Sequence, residues 1–212
     1  MLNDAQIVEA WEALADTPLV KIWPEFKNDY LPRLDRTETV AGQQIMREGD
    51  PASSFYIVGA GAVQATLYRD GRAWFRWEMK PGDSFGQSAL SMNQRQFEVR
   101  TSSPAVLYRL RPFDLRVAIE RNAKLQEFLL HQELAGRLRR LPLLRTLEDA
   151  AILQIAPLVK ETSVAVGEEI DLTQEGSLWA IEWGQVMVTG PAALGRPDWR
   201  LSAGNFFVVG GA

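Results

Sequence analysis

The sequence predicts a mainly β fold with flanking helices, in which an antiparallel sandwich or barrel occurs once in full and once in part. Three observations predict it. Turn signals fall roughly every ten residues between Thr37 and Leu110. Apolar stripes of helical period bracket that stretch. Glycine-marked segments from it then reappear in the last third of the chain, as internal repeats do.

Residues 1–36 are expected to form an N-terminal helical segment. Ile7, Ala10, Trp11 and Leu14, then Leu19, Ile22, Trp23 and Phe26, recur at helical spacing. Pro18, Pro24 and Pro32 divide the segment into short helices, because proline lacks the N–H that an interior position must donate. Residues 37–140 are expected to form the first module with its C-terminal helices. Thr39–Gly42, Ser54–Val58, Ala62–Tyr68 and Ala73–Trp77 alternate in polarity or are rich in β-branched and aromatic residues, which suit a pleated, half-buried surface. Gly49-Asp50, Gly59-Ala60-Gly61 and Asp70-Gly71 supply turns, and Asp70-Gly71 between two strand-like runs predicts a tight hairpin. Pro112 suits a first helical position. Phe113, Leu115, Ala118 and Ile119, then Leu125, Phe128, Leu129, Leu134 and Leu138, carry the apolar stripe of residues 112–140. Arg137, Arg139 and Arg140 close that stretch, where cations complement the helix dipole.

Residues 141–212 are expected to form a second, truncated module. Gly42-Gln43-Gln44-Ile45 returns as Gly167-Glu168-Glu169-Ile170, an offset of 125 (42 to 167). Gly61-Ala62-Val63 returns as Gly184-Gln185-Val186, an offset of 123 (61 to 184). Met79-Lys80-Pro81-Gly82-Asp83 returns as Leu201-Ser202-Ala203-Gly204-Asn205, an offset of 122 (82 to 204). The drift is what changes in loop length produce. The second copy stops near Phe206–Ala212, so the expectation is a fragment of something longer, or elements supplied by a partner, because an open sheet edge is a liability.

Composition narrows the function classes. A formal net charge of −4 offers no general attraction for nucleic acid or an anionic membrane. The absence of cysteine excludes disulfides, thiolate metal sites and a cysteine nucleophile, and suits a cytoplasmic location. No apolar run approaches the ~20 residues of a membrane span. The single histidine, His131, lies in a helical stretch with no second histidine for a triad or a metal site. No enzymatic activity is expected.

Pro81-Gly82-Asp83-Ser84-Phe85-Gly86-Gln87-Ser88-Ala89-Leu90, followed by Arg95, carries the most chemistry. It reads as a tight turn opening onto a short helix, whose unpaired N–H groups and dipole favour an anion. Gly86 lets the backbone approach a ligand, and the Arg95 guanidinium can pair two phosphate oxygens at once. With Gly42, Ile45, Glu48-Gly49-Asp50, Tyr56-Ile57 and Gly61-Ala62-Val63, the pattern resembles the cyclic nucleotide-binding domain family. The resemblance covers about residues 20–140 once and about 141–212 again without the ending. It implies a jelly-roll-type β-barrel of eight strands with helices at both ends, repeated, the second barrel partial.

The resemblance assigns a candidate phosphate cassette to Phe85, Gly86, Gln87, Ser88, Ala89, Arg95, Gln96 and Glu98. Phe85, Gly86 and Arg95 match the family pattern, Arg95 after a loop about one residue shorter than in many members. Gln87 stands where the family has a ribose-binding glutamate and lacks its charge-assisted bond. Gln96 and Phe97 replace small residues, and Glu98 falls where a threonine faces the base. Three placements of Glu98 are open: paired with Arg95 in an empty pocket, accepting hydrogen bonds from a guanine edge, or turned to solvent. The ligands implied are cyclic AMP or cyclic GMP, with the eroded cassette leaving open whether either binds. The expected function is a non-catalytic regulatory or sensor module; the alternative is a ligand-free interaction subunit docked onto a larger assembly. The partners expected are a cyclic nucleotide, a protein partner or fused output domain, and a further copy of the chain. Nucleic acid is not among them.

Overall fold

The computed structural model describes residues 1–69, 71–87, 94–95, 97–170, 176–189 and 199–209. The chain divides into two compact units, Met1–Leu130 and His131–Ala212.

The first unit opens with α1 (Asp4–Leu14), whose N-terminus is closed by a capping box between Asn3 and Gln6. A short α2 (Pro18–Lys21) follows, capped by the Thr17 hydroxyl and started by Pro18 at its first position. A π-type turn, Phe26–Tyr30, and a 3-10 turn, Leu31–Arg33, complete the helical segment. The prolines therefore divide the apolar stripe as the sequence implies.

Among the described residues eight strands come next: β1 (Asp35–Thr39), β2 (Gln44–Met46), β3 (Phe55–Ala60), β4 (Val63–Arg69), β5 (Arg72–Met79), β6 (Ser84–Phe85), β7 (Glu98–Thr101) and β8 (Ala105–Leu110). They form two four-stranded antiparallel sheets, ordered β1-β8-β3-β6 and β2-β7-β4-β5. The stretch Thr39–Gly42, expected to be a strand, instead ends β1 and turns: Gly42 has φ +79° and donates its N–H to Thr101 O. The β4–β5 register closes at Arg69↔Arg72, leaving the two-residue connection that Asp70-Gly71 predicts, although Asp70 itself lies outside the described residues. Helices α3 (Pro112–Arg121) and α4 (Ala123–Leu138) follow, broken apart at Asn122, whose backbone is extended and whose amide bonds Ile22 O and Leu125 N.

Strand alternation sets the layers. Phe55 and Ile57 of β3 and Tyr108 and Leu110 of β8 face Trp23, Phe26, Leu115 and Leu125 of the helical layer. Tyr56, Val58 and Leu107 point the other way, onto Met46, Val63, Ala65, Met79 and Val99 of the second sheet. One sheet is thus packed on both faces, and the core between the sheets carries the jelly-roll fold. Among the described residues the two sheets are not joined into a closed barrel.

Among its described residues the second unit has helix α5 (Asp149–Ile155) and four strands: β9 (Ser177–Ala180), β10 (Gln185–Val188), β11 (Trp199–Ser202) and β12 (Phe206–Val209). β10 pairs with β11 and β9 with β12. Ala135, Leu138, Leu141, Ile152 and Ala156 form its buried cluster. Arg137 pairs there with both Glu182 and Glu161. Among the described residues, no helix of either unit is long and apolar enough to cross a membrane.

Candidate ligand-binding site

The site is built on the turn between β5 and β6. Gly82 takes φ +94°, the left-handed region where a side chain is strained. Asp83 closes the turn with its own backbone: Lys80 N donates to Asp83 Oδ2 at 2.8 Å and Asp83 N to Lys80 O at 3.0 Å. Val58 N to Asp83 O (2.9 Å) and Gly82 N to Val58 O (2.8 Å) fasten it to the end of β3. Beyond the turn, Phe85 stacks on Tyr56, the ring centroids 5.0 Å apart and the planes 11° from parallel.

Gly86 follows at φ +93°. A Cβ there would sit 2.6 Å from Ser54 O and 3.0 Å from Arg95 Nη1, so the close approach requires glycine. Arg95 donates from Nη1 to Gly86 O at 3.1 Å and from Nη2 to Ser54 O at 2.5 Å. Its backbone is fixed as well, by Arg95 N to Asp50 O (2.8 Å) and Gly49 N to Arg95 O (2.9 Å). The turn Glu48-Gly49-Asp50 therefore holds the arginine in place. Gln87 Nε2 donates to Ser84 O at 3.2 Å.

Arg95 is 4% exposed. Burial pushes its guanidinium pKa down, against the opposing fields of Tyr56 and Asp50. Among the described residues no carboxylate lies within ion-pair distance of it, and its two bonds above go to neutral carbonyls. A desolvated cation that meets only carbonyl oxygens among the described residues is a site that an anion would stabilise.

Glu98 is turned away from this corner. Its neighbour Val99 joins the core between the sheets, so Glu98 lies on the outer face of β7. There its carboxylate accepts from Arg100 Nε at 2.9 Å and from the Tyr68 hydroxyl at 3.1 Å. The Arg100 hydrogen bond, helped by that of Tyr68, holds its pKa below the usual carboxylate value. Of the three placements left open by the sequence, pairing with Arg95 does not occur, and the carboxylate is satisfied on the outside of the sheet.

Of the cassette residues expected from sequence, Phe85, Gly86, Gln87 and Arg95 come together, Glu98 lies apart, and Ser88, Ala89 and Gln96 lie outside the described residues. Sequence reasoning missed Ser54, which contributes a backbone carbonyl and so leaves no side-chain signature. It also did not single out Trp77. The Phe75/Trp77 alternation along β5 was its signal: Phe75 and Trp77 stack at 5.5 Å, and Trp77 meets Phe97 edge-on at 4.5 Å. Among the described residues there is no cluster of metal-ligating side chains.

Comparison with known proteins bears on the family and the fold. Residues 36–122 match the model of the cyclic nucleotide-binding domain family. Among solved structures, the chain is similar to the regulatory domain of Toxoplasma gondii PKA co-crystallised with cAMP, at 18% identity and a TM-score of 0.55, covering 98% of this chain and 81% of that one. It is similar to cAMP-bound PfPKA-R (141-441), at 17% identity and a TM-score of 0.51, over 98% of this chain and 73% of that one. It also resembles the regulatory subunit of a cAMP-independent protein kinase A from Trypanosoma brucei, at 19% identity and a TM-score of 0.51, over 58% and 47% of the two chains. At these identities the structural likenesses establish the fold.

Proposed function

Starting from the cyclic nucleotide-binding domain at residues 36–122, we propose that the chain is a non-catalytic regulatory sensor whose first unit takes a cyclic nucleotide, cyclic AMP or cyclic GMP, through Arg95. The observation that carries the reading is the buried Arg95 guanidinium, hydrogen-bonded to the Gly86 and Ser54 carbonyls and unmatched by a carboxylate among the described residues. A cyclic phosphate supplies the missing negative charge, with two oxygens suited to the guanidinium fork. Gln87 occupies the ribose-contacting position and offers a neutral amide, a weaker partner for a hydroxyl than a carboxylate. The outward placement of Glu98 keeps its carboxylate off the Arg95 corner, where it would repel a phosphate.

The reading includes a tandem arrangement, with residues 141–212 as a second, partial copy. Local geometry supports it. The pairs Val63↔Met79 and Tyr56↔Phe85 have counterparts at the same register, Val186↔Leu201 and Trp179↔Phe207. The Tyr56–Phe85 stack recurs as Trp179–Phe207, with planes 7° from parallel. The turn recurs too: Ser202 N donates to Asn205 Oδ1 at 2.9 Å, as Lys80 N does to Asp83, and Gly204 has φ +89°. A cytoplasmic location belongs to the same reading and is supported by the lack of cysteine.

A second reading, an interaction subunit that binds no nucleotide, is favoured by one observation. Val186 is 37% exposed where its counterpart Val63 is fully buried.

Thermal melting of the chain with and without millimolar cyclic AMP or cyclic GMP decides between them. At 100 times Kd a ligand adds about 2.7 kcal/mol to the stability of the state it binds, so a clear rise in melting temperature is expected, and Arg95→Leu should abolish it. No rise with either nucleotide refutes the sensor reading and leaves the interaction subunit.

A further inference from the structure

The second sheet of the first unit ends on an open edge. β5 closes the order β2-β7-β4-β5, and among the described residues it is hydrogen-bonded to β4 alone. A strand in that position offers a row of unpaired N–H and C=O groups to another chain. The other sheet-ending strands of this unit are better guarded. β2 and β6 have three and two residues, and β1, of five, is tied to α1 by the Arg36–Glu9 ion pair. β5 has eight, Arg72–Met79, with neither proline nor glycine among them. Shortness and proline are common safeguards of an edge, and β5 has neither. A register shift opposite Leu67 and Tyr68 interrupts its first half and leaves Phe75–Met79 as a regular run.

Side chains alternate along that run. Trp77 and Met79 belong to the core between the sheets, Phe75 shares their face, and Arg76 and Glu78 point outward. Arg76 and Glu78 are exposed, whereas Phe75 and Trp77 are half-buried. Among the described residues neither Arg76 nor Glu78 enters an ion pair, and Glu78 accepts from the Ser102 hydroxyl at 3.4 Å. Opposite charges two residues apart on one face make this edge complementary to itself in an antiparallel pairing. With the two-fold axis at Trp77, Arg76 stands opposite Glu78 of a second copy and Glu78 opposite its Arg76. Phe75 then meets Met79 of that copy, and Trp77 meets Trp77. Moving the axis by one residue sets Arg76 against Arg76 or Glu78 against Glu78, and like charges directly opposite are destabilising.

We infer that the β5 edge is the docking surface for a second copy of this chain, the two β5 strands pairing antiparallel about Trp77 so that the two four-stranded sheets become continuous. The pairing occupies the open edge and matches Arg76 with Glu78 twice. It also lays the half-buried Phe75 and Trp77 rings against apolar side chains of the second copy, the kind of cross-strand contact that stabilises a sheet. The inference goes beyond the sensor reading and does not depend on any nucleotide.

The test is sedimentation velocity of the full chain over a micromolar to near-millimolar concentration series without nucleotide, with circular dichroism verifying the fold of each variant. The parent is expected to pass from monomer to dimer as concentration rises. Glu78→Gln removes both charge pairs and should weaken the dimer by about 2- to 30-fold, the contribution of one cross-strand pair counted twice. Glu78→Arg and Arg76→Glu each set like charges opposite one another and should weaken it further. Mixing those two variants should restore a dimer, because an edge of one sign then faces an edge of the other. The double swap Arg76→Glu with Glu78→Arg should restore it within a single chain. A parent that stays monomeric throughout the series overturns the inference. So does a dimer that Glu78→Arg leaves unchanged, which places the contact elsewhere. Loss in the single variants with no recovery in either the mixture or the double swap overturns the pairing about Trp77.

Discussion

Gly86→Ala tests the architecture of the site without reference to any ligand. The residue sits at φ +93°, and placing a non-glycine residue in left-handed backbone costs roughly 1–2 kcal/mol. The added methyl also meets Ser54 O at 2.6 Å, Arg95 Nη1 at 3.0 Å and Phe55 Cα at 3.4 Å. Two of these contacts are backbone atoms at the start of β3 and cannot swing aside. Relief must come from a shift that stretches the bond from Arg95 Nη2 to Ser54 O, and losing a buried hydrogen bond to a charged group costs about 1.5–3 kcal/mol. The expected destabilisation is therefore about 2.5–5 kcal/mol. Gly42→Ala is the matched control, because Gly42 has φ +79° but open space around the missing Cβ. It should show only the backbone cost, about 1–2 kcal/mol. Urea unfolding followed by circular dichroism measures both. Equal losses in the two variants would refute the close packing of Arg95 against the Gly86 turn.

Two further outcomes are expected. Glu98 has a folded-state pKa depressed chiefly by its bond from Arg100, so its stabilising contribution is present above its unfolded pKa of about 4.3 and is lost as pH falls through the lower folded value. Glu98→Gln should flatten the acid limb of a stability–pH profile below about pH 4.3; an unchanged limb rejects the pairing. Asp114, 2% exposed at the start of α3, accepts from Arg33 at 3.0 Å and Arg111 at 2.9 Å. Both arginines are at least half exposed and re-solvate when released, so Asp114→Ala should cost about 1–3 kcal/mol in urea unfolding. A double-mutant cycle with Arg33→Ala should show coupling, and strict additivity would refute it.

The elements were legible wherever a local rule governs them. Ala62–Tyr68 and Ala73–Trp77 alternate with period two and become β4 and β5, because the pleat is a property of neighbouring residues. The helical stripes at Ile7–Leu14 and Phe113–Ile119 were legible for the same reason. Thr39–Gly42 misled because its β-branched start belongs to β1 and its glycine to the turn, a division fixed by the Gly42–Thr101 bond across 59 residues. The site was half legible. The glycines and Phe85 mark the turn, but nothing local announces that the carbonyl of Ser54, 41 residues from Arg95, completes the corner.

The sequence by itself determined the alternation of helix, strand and turn, the recurrence of short glycine-marked motifs and the presence of an arginine beyond the Pro81–Gly86 turn. Each is written in short-range spacing, which one chain displays directly. Only the tertiary structure decided which way Glu98 faces, what holds Arg95 and which aromatic rings stand beside it. Those depend on the register of β7 against β4 and on the pairing of β3 with β6. Register is set by the packing of two sheets around a shared core, where a slip of one residue turns every side chain to the opposite face.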